Sequence, residues 1–409
     1  MGLNLALMRF LLPDEYGVYG ICVAGIILTD AIIGSSVDMG VLRFASHGEP
    51  GEERVSVSFE RTALQSKAIF ALAAFVPVLM ISPAVAAVLL HDSGRWAAVV
   101  LSFGAAMGLL LFRSALVHAQ IQGRFRLYGV LELLHNAIKL AGAVILMLSG
   151  RASATTILAL FVTSPLSAFG VAMWNFRRQG LWAPSIDRER LRQLYSLAKW
   201  YALTGGLGNI VSRLDIVALT LFSTLQNTGL FSAAQVLASV PPLLGSYLSI
   251  VFAPKIMSLY QTGRFQAFYR RFQWILAGVA FPAMIITLVG LQTSLASLLP
   301  QKFALSAVLT MILAPGSFIA FTTVPLALST VMFLRPRFLF QLDSMALPFL
   351  ALAYYAAVRE HGAVGAAAVS CISQTVRSAI VQACAWRLSS GAPDHQRYVP
   401  AGDVPTRAG

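Results

Sequence analysis

Charge is scarce in this sequence. Charged residues make up 11% of its 409 positions, against about 25% in an ordinary soluble domain. Hydrophobic residues reach 57% and mean hydropathy is +0.73. Such a composition excludes a water-soluble globular fold and points to an integral membrane protein. Cysteine is equally sparse: Cys22, Cys371 and Cys384 all sit inside apolar runs, where a thiol behaves as a small hydrophobe. Their spacing fits neither a disulfide framework nor a zinc site. The six histidines, at 47, 91, 118, 135, 361 and 395, are scattered; there is no HExxH and no GxxxxGK[ST] loop, so no metal, cofactor, ATP site or enzymatic activity is expected. His118 and His135, near the ends of apolar spans, read as interfacial residues rather than proton relays. Also lacking is apolar/polar alternation over about ten residues, which excludes a membrane β-barrel.

What the sequence has is long apolar runs. A helix needs about 20 residues to cross the hydrocarbon core. Eleven runs are that long, near 17–42, 63–90, 96–118, 127–149, 155–175, 197–222, 229–254, 272–293, 304–330, 336–357 and 363–386, and a short one covers 1–12. An all-α membrane protein of about twelve helices is therefore predicted. The formal charge of +13 is a topology signal. One set of loops carries most of the bases, among them Arg43, Arg54, Arg124, Arg126, Arg177, Arg190, Lys255, Arg264, Arg335 and Arg387. The opposite set holds Arg95, Arg151, Lys302 and Arg359, with Arg9 nearby. By the positive-inside rule the first set and both termini are cytoplasmic. Nucleic-acid binding is excluded on the same distribution.

No soluble domain interrupts the chain. The connection at 176–200 contains IDRERLRQLYSLAKW, with apolar residues on one side and arginines on the other. It reads either as a helix lying in the membrane interface or as a cytoplasmic extension of the next helix. The tail at 389–409, rich in proline, glycine and polar residues, is expected to be disordered. The opening lacks the basic segment and cleavage site of a signal peptide.

The two halves repeat. Residues 17–46 align without a gap on 229–258: Gly17 meets Gly229, Tyr19 meets Phe231, Arg43 meets Lys255 and Ser46 meets Ser258. Part of this match is what any helix with an aromatic outer end and a basic inner end would show. A duplication of six helices plus six, common in transporters, explains the rest. It predicts a first lobe at 1–175, the connection, and a second lobe at 201–388, arranged around a central cavity. Against that repeat the first helix is short: about 12 residues span roughly 18 Å of a core about 30 Å thick, so a longer upstream start is expected.

Charges inside the spans are few. The bases are Arg113, Lys139, Arg213 and Arg377; the acids are Asp30, Asp38, Glu132, Asp215 and Asp343. Each costs about 2.5 to 3.5 kcal/mol at the bilayer centre, so each is a functional candidate unless it pairs between helices. Arg213, Lys139, Arg377, Asn209, Asp30, Asp38 and Arg43 are candidates for a hydrated, cargo-binding cavity. Asp215, Asp343, Glu132 and Arg113 are candidates for structural polar contacts, with Arg113 and Glu132 close enough to a helix end to snorkel. The stretch SRLDIVALT places Arg213 and Asp215 two residues apart, about 200° around a helix, where they cannot satisfy each other. Arg213 shares its side with Gly206, Asn209 and Thr220; Asp215 shares its side with Gly208, Ser212 and Ala218.

RFLLPDEYGVYG, SRLDIVALTLFSTLQNTGLFSAAQVL, FAPKIMSLYQTGRF and REHGAVGAAAVSCISQTV resemble segments of the polysaccharide transporters, the Wzx-type oligosaccharide-lipid flippases of the multidrug/oligosaccharidyl-lipid/polysaccharide exporter superfamily. The resemblance implies two six-helix lobes, alternating access, and passage of an undecaprenyl-diphosphate-linked oligosaccharide (an O-antigen, capsule or exopolysaccharide unit) from the cytoplasmic to the periplasmic leaflet of the inner membrane. It also implies company with a polysaccharide polymerase and glycosyltransferases. A small-molecule cation antiporter of the same superfamily is the alternative, weakly opposed by the mixture of bases and acids. A membrane glycosyltransferase or polymerase would need a sizeable outer loop that the sequence lacks.

Overall fold

The computed structural model describes residues 2–46, 53–177, 188–261, 264–292 and 299–390, and among them there is no strand. Helix α1 is Gly2–Phe10, and α2 is Pro13–Thr29, which runs through a π-helical turn, Asp30–Gly34, into α3, Ser35–Ser46. Then come α4, Glu53–Leu89; α5, Trp96–Ile121; α6, Phe125–Leu148; and α7, Ala154–Phe176. The second half comprises α8, Arg188–Phe222; α9, Leu225–Ala238; α10, Val240–Gln261; α11, Phe265–Gly290; and α12, Ala304–Thr323. Val324–Leu328 is again π-helical, followed by α13, Ser329–Leu334, and α14, Pro336–Ser390.

Among the described residues nine stretches are long and apolar enough to cross a membrane, and α9 with the start of α10 forms a tenth that bends by 44°. The longest, within α14, is two helices: Gly362 at φ 55° turns the chain back on itself, a left-handed conformation that glycine adopts without a Cβ penalty. Counting both arms and the short α1 gives the twelve helices expected.

The helix starts at one end of the bundle are fixed by local chemistry. Pro13 occupies the first position of α2, Ser153 and Thr156 form a capping box on α7, and the Thr224 hydroxyl accepts from Asn227 N–H at the start of α9. These caps satisfy N–H groups that a helix start leaves free. Glu15 adds a long-range cap, accepting from Ala154 N at 2.9 Å.

At this end α2 and α9 cross with their backbones in contact. A Cβ on Gly17 would collide with the Leu225 carbonyl, and one on Gly229 with the Pro13 carbonyl. Small residues permit such an approach where helices have only packing and weak polar contacts to hold them. The contact is reciprocal under the 212-residue offset, which relates Pro13 to Leu225 and Gly17 to Gly229. Gly20 likewise faces its own equivalent, Ser232. Ser102 Oγ donates to Cys22 O at 2.9 Å and Thr310 Oγ1 to Ala234 O at 3.5 Å, and Cys22 and Ala234 are again 212 apart.

The connection resolves in favour of an extension. Residues from Arg188 onward belong to α8, and Leu194 and Ala198 are buried with Val37, Val41 and Ala63. The apolar side thus packs on α3 and α4 instead of floating in the interface. Tyr195 adds a hydroxyl contact to Ser66 Oγ at 3.3 Å. Residues 178–187 and 391–409, with most of the predicted tail, lie outside the described residues.

Candidate functional site

In the first half, the buried charges find one another. Lys67 Nζ lies 2.5 Å from Asp38 Oδ1 and donates to Ser114 Oγ at 2.9 Å. Arg113 Nη1 meets Asp30 Oδ2 at 2.9 Å, where Asp30 opens the π-helical turn. Lys67 is absent from the bases counted in the sequence. Its position four residues inside a predicted span was the available signal. Arg113, a candidate for a structural contact near a helix end, spends its charge on Asp30, although its side chain remains 44% exposed. Glu132 accepts from Asn136 Nδ2 at 3.4 Å on its own helix.

The two histidines expected at the interface are buried. His118 Nδ1 pairs with the Glu60 carboxylate, and its Nε2 lies 3.0 Å from Gln122 Nε2. The ring stands edge-on to Phe176 at 4.5 Å. His135 packs on Phe112, with ring centroids 5.1 Å apart. An interfacial position was inferred from distance to the helix end, but aromatic packing between helices draws both rings inward.

Among the described residues Lys139 makes no direct ion pair, although Glu132 on the same helix is near enough to act on it electrostatically. Its Nζ donates to His135 Nε2 at 3.3 Å and sits 4.9 Å above the Phe161 ring. Phe161 is edge-on to Tyr19, whose hydroxyl donates to Asn4 Oδ1 at 2.9 Å.

In the second half, Arg377 grips Asp343 with two bonds, Nε to Oδ1 at 2.9 Å and Nη2 to Oδ2 at 3.2 Å. The pair lies beside a cavity of about 130 Å³ whose lining includes Pro242, Thr323, Gln374, Arg377 and Ser378. Asp215 is buried and accepts from Ile216 N at 2.7 Å, Gln235 Nε2 at 3.0 Å and Ser370 Oγ at 3.2 Å. Tyr354 closes the cluster, its hydroxyl 2.9 Å from Ser370 Oγ. Asn209 folds back onto its own helix, donating to Gly205 O at 2.8 Å.

Helix α8 presents the two charges of SRLDIVALT to different neighbours. A Cβ on Gly206 would lie 3.0 Å from Ile32 Cγ1 of the first half, and one on Gly208 would lie 3.2 Å from Asp343 Oδ2 of the second. Arg213 and Asp215 follow these glycines by seven residues, two helical turns, and so share their directions. The Cα–Cβ bond of Arg213 therefore leaves α8 on the side that meets Ile32, and that of Asp215 on the side that meets Asp343. Arg213 Nη1 donates to Gln235 Oε1 at 3.1 Å, and its Nε is buried without a partner.

Of the membrane-embedded bases, Lys67, Arg113 and Arg377 are neutralised by carboxylates. Among the described residues, no carboxylate forms an ion pair with Lys139 or Arg213. The candidates Asp30, Asp38 and Arg377 each pair with a partner within their own half. The side chain of Arg43 lies outside the described residues. Gln235 and Ser370 were not singled out from the sequence; a lone amide in an apolar helix was the signal for the first.

The sequence family described as polysaccharide biosynthesis protein matches residues 6–308. The chain belongs to that family. The family's match covers the first half, α8 to α11 and the beginning of α12. A search of curated proteins finds no match. Among solved structures, the chain is similar to a lipid II flippase MurJ in an inward closed conformation, with a TM-score of 0.76 at 10% identity over 94% of this chain and 85% of that one. It is also similar to an inward-facing multidrug resistance MATE family transporter of the MOP superfamily, with a TM-score of 0.68 at 14% identity over 95% and 93%. A Vibrio cholerae MATE transporter gives a TM-score of 0.53 at 12% identity over 94% and 90%. This family member thus shares its fold with that flippase and those transporters.

Proposed function

We propose that this protein is a flippase for an undecaprenyl-diphosphate-linked oligosaccharide, moving it from the cytoplasmic to the periplasmic leaflet of a bacterial inner membrane by alternating access. Two lobes, 1–175 and 201–388, joined through 176–200, would rock about the cargo, with both termini and the tail at 389–409 cytoplasmic. An O-antigen, capsule or exopolysaccharide unit is the cargo class, supplied by glycosyltransferases and passed to a polymerase.

The observation that carries this reading is that, among the described residues, Lys139 and Arg213 are membrane bases held by no direct carboxylate ion pair. A diphosphate needs cations whose charge has not already been cancelled. Arg213 supports it most strongly, since it keeps a buried donor, Nε, free. The acids a cation antiporter would use are largely occupied: Asp30, Asp38 and Asp343 each hold a base. On this reading Asp30, Asp38, Arg113, Asp343 and Arg377 shape the lobes, and Arg213 with Lys139 meets the cargo.

Arg213→Gln removes the fork that makes paired, charge-assisted bonds to phosphate. Membrane abundance should stay near normal while export of lipid-linked glycan falls on the order of tenfold or more. Arg213→Lys should keep part of the activity, since a point charge remains. The measurement is periplasmic glycan per unit of membrane protein in a null strain. Normal export by Arg213→Gln would remove Arg213 from the cargo path.

A further inference from the structure

Arg213 and Asp215 cannot reach each other, yet they are connected. Gln235 on α9 stands between them: its Nε2 donates to Asp215 Oδ2 at 3.0 Å and its Oε1 accepts from Arg213 Nη1 at 3.1 Å. The orientation of the amide follows from its neighbours. A carboxylate only accepts and a guanidinium only donates, so the NH₂ must face Asp215 and the oxygen must face Arg213. The carboxylate is itself fixed by Ile216 N and Ser370 Oγ, and through it α14 takes part in aiming the amide.

An amide is well suited to this place. Glutamate would repel Asp215 and neutralise Arg213; lysine or arginine would repel Arg213; leucine would leave the donors and acceptors on both sides unmet. Glutamine holds the guanidinium by one bond and leaves its net charge intact. Meanwhile Arg213 Nε, buried and unpartnered, lacks the acceptor that a buried donor requires.

We propose that Gln235 is a positioning residue of the cargo site: anchored by Asp215, it holds the Arg213 guanidinium ready for a diphosphate group without cancelling its charge. This rests on the reading of Arg213 as the diphosphate contact. The chemistry recognised is a diphosphate, whether lipid-borne or free, and Nε is the donor that it would satisfy. Asp215 is thereby an indirect contributor, acting through Gln235 from the opposite face of α8.

The test uses the full chain in lipid nanodiscs, with undecaprenyl diphosphate as one probe and inorganic pyrophosphate as the other. Dissociation constants are measured for the unmodified chain, Arg213→Gln, Gln235→Leu, Gln235→Met and the double variant Arg213→Gln/Gln235→Leu, alongside unfolding temperatures. Gln235→Leu and Gln235→Met should each bind roughly tenfold more weakly. In the Arg213→Gln background, Gln235→Leu should change binding by less than about twofold, because its effect passes through the missing guanidinium; a merely structural role would add its full cost. A Gln235-dependent loss for both probes locates recognition on the diphosphate itself, and a loss for the undecaprenyl form alone locates it on the lipid-borne group. If Arg213→Gln binds weakly while both Gln235 variants bind normally, the positioning role is wrong and the Arg213 reading survives. Additive losses in the double variant also overturn it. Normal binding by Arg213→Gln overturns the Arg213 reading instead.

Discussion

The two halves of the chain share a repeat but handle buried charge differently. In the first half Asp38 meets Lys67 and Asp30 meets Arg113 directly, so the acids there are spent on neighbouring bases. In the second half Arg377 and Asp343 do the same, but Arg213 and Asp215 are separated by an amide. The direct pairs hold helices together and leave little charge for a ligand. On the proposed reading, the amide-spaced pair keeps a cation poised. The repeated scaffold thus carries differently arranged charges in its two halves.

The largest effect is expected where the halves are most alike. Gly17→Leu or Gly229→Leu drives a side chain into a backbone carbonyl of the opposite helix. Overpacking against side chains costs about 1–3 kcal/mol, and backbone cannot rotate aside, so little folded protein should be recovered. Detergent extraction followed by size-exclusion chromatography reads this. A normal monodisperse yield from either variant would mean that the α2–α9 crossing is not close.

A smaller effect should separate direct pairing from amide spacing. Lys67 is fully buried beside Asp38, and removing one member of such a pair costs about 3–5 kcal/mol, whereas replacing both by apolar residues is often nearly neutral. Lys67→Met alone should lower the unfolding temperature sharply, and Lys67→Met/Asp38→Leu should recover most of it. Failure of the double variant to recover would show that Lys67 acts through more than this pair.

The smallest effect belongs to glycines that touch nothing. A Cβ at Gly129 or Gly278 meets no atom within 4 Å. Alanine there should leave the yield and unfolding temperature unchanged or slightly raised, by about 0.5–1 kcal/mol if the helix is the determinant. A marked loss would reveal a partner surface on α6 or α11.

The helices and their repeat could be read from sequence because both are written in local terms. Continuous apolar runs define spans, and glycine beside an aromatic fixes the register of α2 against α9. The pairing of charges could not be read in the same way. Asp215 and Ser370 are 155 residues apart, and only the packing of α8 against α14 brings them together. Lys67 escaped notice because its partner, Asp38, lies on another helix 29 residues away. The faces of α8 were legible from angular geometry alone, but which helix each face would meet was not. The break within the last apolar stretch was foreseen as a loop at 358–362, whereas the structure makes it a single glycine turn at Gly362.

The irregular turns in α2–α3 and α9–α10 have a mechanical consequence. The π-helical segment begins at Asp30, and the 44° bend follows Ala238, close to Pro242, which the repeat equates with Asp30. An α-helix resists bending because its hydrogen-bond ladder is continuous, and sharp kinks concentrate where proline or a π-turn interrupts that ladder. Each of the two central rods therefore has its compliant joint at the same depth, beyond a clamped glycine crossing. Force applied to the far segments would flex the joints before it loosened the clamp.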